Sequence, residues 1–589
     1  MSELFKQPFP DRLGSLTGLR ARLRWRETDS RRAARGQSSW LRMEQLEDRL
    51  APTVSLAQNF TGIDSAQTSG IPPDATAAVG PNTVIETVNR AITLMDKTGS
   101  TRVGPIDLST FFSSIFTAHD FIMDPSVVYD DQAGRFYVVL EESGFVQGQL
   151  DFAVSKGSNP ATLGPTDWSF YAITEVNEGG TASPGIPKIG WNDDAVFLST
   201  NQGNTPSLHC HILAVSKLSL LAGGALSFNS TNITTNSERN ILVPARMHNE
   251  TTGNLEYFVQ SEGDATSNTV IVVQETGYLA GSGTFTFTPL AVNSYNNSPG
   301  VSGLTVFSDD RILSVDWINN GTAEHMVATG NVGVAGVNRA RWYEFNAPTS
   351  GAPTLLQQGD IDLGPAIATS FPSIAINASD TIALTFLENG NGQATSMYVT
   401  GRVPSDPLNF MQPPTLVRAG LLPASDMRNG GDYSATEYDP TTPASFWSAN
   451  EFQLGATGSS TDWGTQMVAY TFLAGPLVMP PSNQRVSEGA SMSFTLGSFV
   501  DSSGMGTWSV TVDWGDGTAN TNVGPLTVTG SLGSDPHTFA EEGTYTVVVS
   551  VTNTMTMRTG FCNFVVTVAL AGSSPVSLLK KFSITGAIS

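Results

Sequence analysis

Carboxylates and amides recur at matched places along the middle of this 589-residue chain. Asp74, Asp124 and Asp432 each stand just ahead of a short apolar run. Asn89, Glu141, Glu142, Asn201, Glu388, Asn389, Asn450 and Glu451 each close the run that follows. Hard oxygen donors gathered around one opening suit a calcium ion or the hydroxyls of a sugar. As a ligand-binding set they comprise Asp74, Asn89, Asp124, Glu142, Asn201, Asn389, Asp432, Asn450 and Glu451. Two carboxyls roughly 5–10 Å apart can also act as acid and base on a glycosidic bond, and Glu142, Glu451, Asp124 and Asp432 would then carry catalysis. The plainest reading is that these residues cap turns and face water.

Two further groups bear on chemistry. His209-Cys210-His211 places two imidazoles on one face of a strand, with His248 as a third metal ligand if it lies near, but a strand-edge pair without metal accounts for them better. Near the C-terminus, Asp513 and Asp516 could hold calcium, but Asp516 between Gly515 and Gly517 fits a turn cap better. The sequence carries no P-loop, no His-Glu-x-x-His and no Ser/His/Asp order.

The elements that must position the first set come from a recurring unit. An apolar strand turns through Asp, Asn or Gly and returns in a second strand that ends in a carboxylate or amide. Copies start at Asp74, Asp124, Ile186, Phe371 and Asp432, with weaker ones near Pro244 and Val301, the last carrying Phe307-Ser-Asp-Asp-Arg. Seven starts at spacings of 50 to 70 residues suit four-stranded blades repeated radially, hence a β-propeller over residues 54–475. One helix is expected after Asp107, on the spacing of Leu108, Phe111, Phe112, Ile115 and Phe116.

Residues 476–485 are Pro-rich and read as a linker. Residues 486–570 then alternate polar and apolar in strand fashion, and residues 571–589 form a tail. Val512-Asp-Trp-Gly-Asp-Gly-Thr518 followed by His537-Thr-Phe-Ala-Glu-Glu-Gly-Thr-Tyr resembles the signature of the PKD domain. That resemblance implies an immunoglobulin-like β-sandwich, a spacer or weak binding module of secreted proteins, with His537 capping the start of its strand. The expected fold class is therefore all-β: about seven propeller blades, then a sandwich.

In the propeller region, Asp124-Pro-Ser-Val-Val-Tyr-Asp with Gly134-Arg-Phe, and Gly431-Asp-Tyr-Ser-Ala-Thr with Asn450-Glu451, are similar to secreted bacterial proteins of sialidase-like propeller type. The chain departs from true sialidases: it has no Ser-x-Asp-x-Gly-x-x-Trp box and no credible arginine triad around one tyrosine.

Charge bounds the partners. The net charge is −23, yet residues 1–51 hold 11 basic and 7 acidic residues, leaving the body strongly acidic. Such a body repels phosphate backbones and anionic membranes, so no nucleic acid is expected. No apolar run approaches the roughly 18 residues of a membrane span. Residues 1–53 form a basic, disordered segment without the apolar core of a signal peptide. Within it, Leu41-Arg-Met-Glu-Gln-Leu-Glu-Asp-Arg-Leu-Ala-Pro52 resembles a short motif near the start of large planctomycete-type surface proteins, and the resemblance implies export. The reading at this level is an exported monomer of the extracellular space or cell surface. Its role would be binding or structural without catalysis, the propeller mouth taking glycan or protein, with calcium as the one cofactor the donors suit. A secreted glycoside hydrolase or lyase with a PKD accessory domain is the alternative.

Overall fold

The structure is a computed structural model. It describes residues 54–570 apart from residues 71, 118–120, 144–147, 176–184, 203–208, 235–240, 263–265, 282, 298–310, 365–366, 391–392, 405, 407, 422–432, 455–461, 473–474, 502–505 and 556–557. The basic N-terminal segment, the tail, Asp432 and the repeat start at Val301 and Phe307 lie outside the described residues.

Strands make up nearly all of the regular structure. Among the described residues seven four-stranded units follow one another, and their innermost strands are Thr76–Val79, Phe121–Asp130, Gly185–Trp191, Val243–Pro244 with Arg246–His248, Ile312–Asn319, Ala368–Ile376 and Ala435–Asp439. Each inner strand touches the next, and the last touches the first, which closes a seven-bladed propeller. Blades are numbered here in that order. The four strands of blade 7 are Ala435–Asp439, Thr442–Gln453, Trp463–Phe472 and, on the outside, Val54–Asp64. The first described strand therefore completes the last blade, pairing antiparallel with Trp463–Phe472.

The sequence pattern follows from this stacking. A blade is covered on both faces by its neighbours, so its inner and second strands are apolar on both sides. Tyr137-Val138-Val139-Leu140 and Ile374-Ala375-Ile376 are fully buried runs. Outer strands such as Thr101–Asp107 are largely exposed. The helix after Asp107 is one turn, Leu108–Phe111, capped by Asp107 Oδ1 accepting from Ser109 N at 2.8 Å. Turns replace the longer helix expected, while Leu108, Phe111 and Phe112 still bury against Trp168 and Phe170 of blade 2.

Beyond Phe472 the chain enters a β-sandwich. Its larger sheet orders Gln484–Ser487, Arg558–Ala569, Gly543–Asn553, Trp508–Asp513 and Thr521–Leu526. Leu477–Met479 pairs with Ser498–Val500, and Met492–Thr495 with Ser534–His537. Leu477–Met479 and Gln484–Ser487 place much of the Pro-rich stretch 476–485 inside the sandwich, because prolines at strand ends lose no ladder hydrogen bond. The core between the sheets centres on Trp508, Trp514, Phe494, Phe499 and Phe539.

Candidate functional site

The inner strands begin in a shared backbone device. Asp74, Asp124, Ile186 and Phe371 have φ of 48°, 56°, 58° and 47°, a left-handed conformation that side chains rarely adopt. The ladder shifts register across the last three, at Met123/Ser126, Gly185/Lys188 and Ser370/Ser373. A bulge there redirects the residue two places on. Thr76, Ser126, Lys188 and Ser373 consequently line an axial cavity of about 60 Å³, together with Ser314 and Ser434.

Three of the residues singled out in the sequence meet at this end of the axis. Asn89, closing the second strand of blade 1, donates from Nδ2 to Asp74 and to Pro72 O, and its Oδ1 accepts Asp124 N at 2.9 Å. Asp124 Oδ2 in turn accepts Ile186 N of blade 3 at 3.3 Å. The contacts run from blade to blade. Burial raises the Asp124 carboxyl above its ordinary value; Arg311, Lys188, the Ile186 N–H and a hydrogen bond with Asp74 pull the other way. The Lys188 ammonium lies 3.7 Å over the Tyr433 ring.

The same latch recurs elsewhere, in part through residues the sequence reading passed over. Asn331 Oδ1 accepts Phe371 N of blade 6 at 3.0 Å. Asn450 Nδ2 donates to Phe371 O at 3.3 Å, and Ser434 Oγ donates to the same carbonyl at 2.9 Å. Asn389 donates to Ser370 Oγ at 2.6 Å. Glu142 is directed into its own blade: its carboxylate accepts Thr117 N at 3.0 Å, Thr117 Oγ1 at 2.8 Å and Gln149 Nε2 at 3.3 Å. Glu141, Asn201 and Glu451 are buried on their strands, and Glu388 is partly buried and bonded by Tyr398. The set therefore does not form one open ring of water-facing donors. Asn89, Asp124 and Asn450 are built into joints between blades, and Glu142, Glu388 and Asn389 bond within their own.

The densest ionic cluster lies at the other end of the inner strands. Arg246–His248 leaves blade 4 and pairs in parallel with Asp316-Trp317-Ile318 of blade 5. From there the Arg246 guanidinium reaches across the axis to Asp316 Oδ1 at 3.1 Å, Ile374 O at 2.9 Å, Thr436 O at 3.1 Å and Glu437 Oε1 at 3.5 Å. His248 bonds Asp131 through Nδ1 at 2.8 Å and Asp316 through Nε2 at 3.1 Å, and Tyr438 Oη donates to Asp131. Burial alone would lower the His248 pKa, but the two carboxylates raise it to about 10. Burial opposes ionisation of Asp131 too, yet His248 holds it down to about 2. Burial pushes Glu437 up to about 7 despite Arg246. One arginine and one histidine thus join blades 2, 4, 5, 6 and 7 at the axis. Sequence reasoning noticed His248 only as a metal ligand. The basic pair Arg246/His248 inside an apolar strand was the available signal.

His211 bonds Asn232 on the neighbouring strand of blade 3, whereas His248 bonds Asp131 and Asp316. Among the described residues no group of three His, Cys, Asp or Glu side chains is placed to hold a metal ion. In the sandwich, Asp513 Oδ1 accepts Gly515 N at 2.9 Å, and Asp516 Oδ1 accepts Thr518 N at 3.0 Å. Asp516 Oδ2 meets His537 Nε2 at 2.8 Å, and the His537 ring stacks on Trp514 at 4.3 Å. His537 thereby ties its strand to the Gly515–Gly517 turn.

Among the described residues no helix is long and apolar enough to cross a membrane. No curated protein matches the sequence significantly. Solved structures with similarity include an endo-arabinase from Bacteroides thetaiotaomicron, 11% identical over 49% of this chain and 95% of that one, with a TM-score of 0.28. A Hadza microbial sialidase is 10% identical over 65% and 72%, with a TM-score of 0.33. The alpha-L-arabinanase of Penicillium chrysogenum, complexed with arabinobiose, is 10% identical over 57% and 90%, with a TM-score of 0.30. Residues 474–568 match the family model of the PKD domain, which agrees with the sandwich and with the Trp514–His537 signature at its turn.

Proposed function

We propose that the chain is an exported protein of the cell surface or extracellular space whose propeller binds glycan or protein without catalysis, its PKD domain serving as spacer or second contact. The observation that carries this reading is the use made of the mouth residues. Asn89, Asp74, Asp124 and Asn450 are committed to joints between blades, and Glu142 to a joint within blade 2. Polar groups held this way keep a rigid rim, a property of binding surfaces that present preformed contacts. The net charge of −23 keeps such a protein soluble, and the export motif and the PKD match agree with an extracellular setting.

One observation favours a second reading. The Asp74–Asp124 pair, in contact and with Asp124 raised by burial beside Lys188 and Arg311, has the composition of an acid–base couple. A secreted glycoside hydrolase or lyase would place its chemistry there. Retention of the full chain on immobilised polysaccharides and on envelope proteins, with and without calcium, separates the two. The binding reading expects retention that survives Asp124→Asn with no change in the eluted polymer. Shortened polymer that stays intact with Asp124→Asn supports the hydrolase or lyase.

A further inference from the structure

On the flank of the propeller, away from both ends of the axis, the outer strand of blade 5 (Thr354–Ile361) faces the chain segment of blade 6 that carries Phe410 to Pro414. Between them lies a groove of about 270 Å³ lined by Trp342, Asp360, Asp362, Phe410, Gln412 and Pro413. Its size is that of one sugar ring rather than of a drug-sized ligand, whose pockets run from roughly 300 to 1,000 Å³.

Two polar groups in its walls lack partners. Trp342 is 1% exposed, and its indole N–H reaches no acceptor among the described residues, whereas those of Trp168, Trp317, Trp447 and Trp463 each do. Gly359 keeps that N–H uncovered: a Cβ there would sit 2.7 Å from Trp342 Nε1. Gln412 is 7% exposed; its amide nitrogen donates to Asp406 Oδ2 at 2.9 Å, and its Oε1 accepts nothing. The buried Gln412 acceptor, left unmatched, costs free energy that a hydroxyl would recover, and the Trp342 N–H at the groove can donate to the same kind of group.

The carboxylates narrow the ligand class. Asp360 is gripped by Arg341 at 2.5 and 2.8 Å, and Asp362 by Arg339 at 2.8 Å. Each presents acceptor oxygens while its charge is already matched, so the groove attracts no cation strongly. Phe410, 43% exposed, offers an apolar face at the rim, where Phe561 of the sandwich meets it edge-on at 6.4 Å. Hydroxyl-matching atoms, acceptors without net charge and an aromatic face fit a neutral sugar.

We propose that this groove, formed by blades 5 and 6 beside the sandwich, is a binding subsite for a neutral glycan. One ring lies against Phe410, and its hydroxyls meet Trp342 Nε1–H, Gln412 Oε1 and the two carboxylates. The proposal stands independently of the propeller mouth. The test is calorimetric titration of the full chain with cellohexaose, xylohexaose, mannohexaose and arabinohexaose, beside a polygalacturonate oligomer and a proline-rich peptide. At least one neutral hexasaccharide is expected to bind saturably. Phe410→Ala and Trp342→Phe are each expected to weaken it about tenfold or more, with the exposed Leu218→Ser unchanged. Phe410 is exposed, so its variant should keep the parent thermal midpoint and report on binding alone. The proposal is overturned if no neutral hexasaccharide binds and the groove holds water only, if Phe410→Ala binds as the parent does, or if the polygalacturonate or the peptide is preferred.

Discussion

Arg246 and His248 bring two positive charges to the axis, and Asp131, Asp316 and Glu437 surround them. Removing one partner from such a set leaves the others buried and unmatched, which costs more than the intact set contributes. His248→Gln is therefore expected to destabilise the fold by about 3–5 kcal/mol, read as a lower urea midpoint at unchanged slope. Because the His248 pKa is raised to about 10, its contribution is complete below about pH 6.5 and disappears as the pH climbs through 10. The parent and the variant should accordingly converge in stability above that pH. This cluster was not legible in the sequence: Asp131, His248 and Tyr438 lie more than a hundred residues from one another, and no local pattern links them. The latches were half legible. Asn89 and Asp124 stood out by type and position, but their role as partners to each other, rather than to a ligand, depends on the left-handed backbone at Asp124.

At the scale of the elements, the repeat was readable because each blade is buried on both sides, so apolar runs followed by a turn and a polar stop mark it. Blade 4 was faint because its inner strand is broken at Ala245 between Val243–Pro244 and Arg246–His248. The closing strand Val54–Asp64 left no signal of its own. Its partners lie about four hundred residues away, and its exposed face reads as polar. Closure by that strand protects the edge of Trp463–Phe472 and joins the two ends of the ring. A chain starting at Ser65 is expected to melt roughly 10 °C or more below one starting at Val54, or to aggregate, by differential scanning calorimetry. Equal midpoints would mean that six blades and a three-stranded remnant suffice.

Across the whole molecule, buried acids set the response to pH. Burial raises Glu86 and Asp151 to about 7 and Glu275 to about 8, and Glu437 joins them at about 7. The folded protein holds protons that the unfolded chain has already released, so the contribution of these four groups is complete below about pH 4.5 and is lost as the pH rises through 7 to 8. A loss of at least ~3 kcal/mol between pH 5 and pH 8 is expected from urea denaturation at fixed ionic strength, with Glu86→Gln removing part of the slope. Stability that is flat or rising over that interval would contradict these assignments. Composition had shown an acidic protein; it could not show which carboxylates are buried, because the burial of Glu86 and Glu275 is set by how blades pack and not by residue type.

The central claim is that the propeller binds rather than cuts, its mouth residues serving as joints. The most direct measurement is release of reducing ends from a panel of neutral and acidic extracellular polysaccharides by the purified full chain, with calcium present and absent, beside Asp124→Asn, Glu142→Gln and Glu451→Gln. No release above buffer from a folded protein that still retains polymer is the predicted result. Release that vanishes in any of those three variants would contradict it and make the mouth an active site.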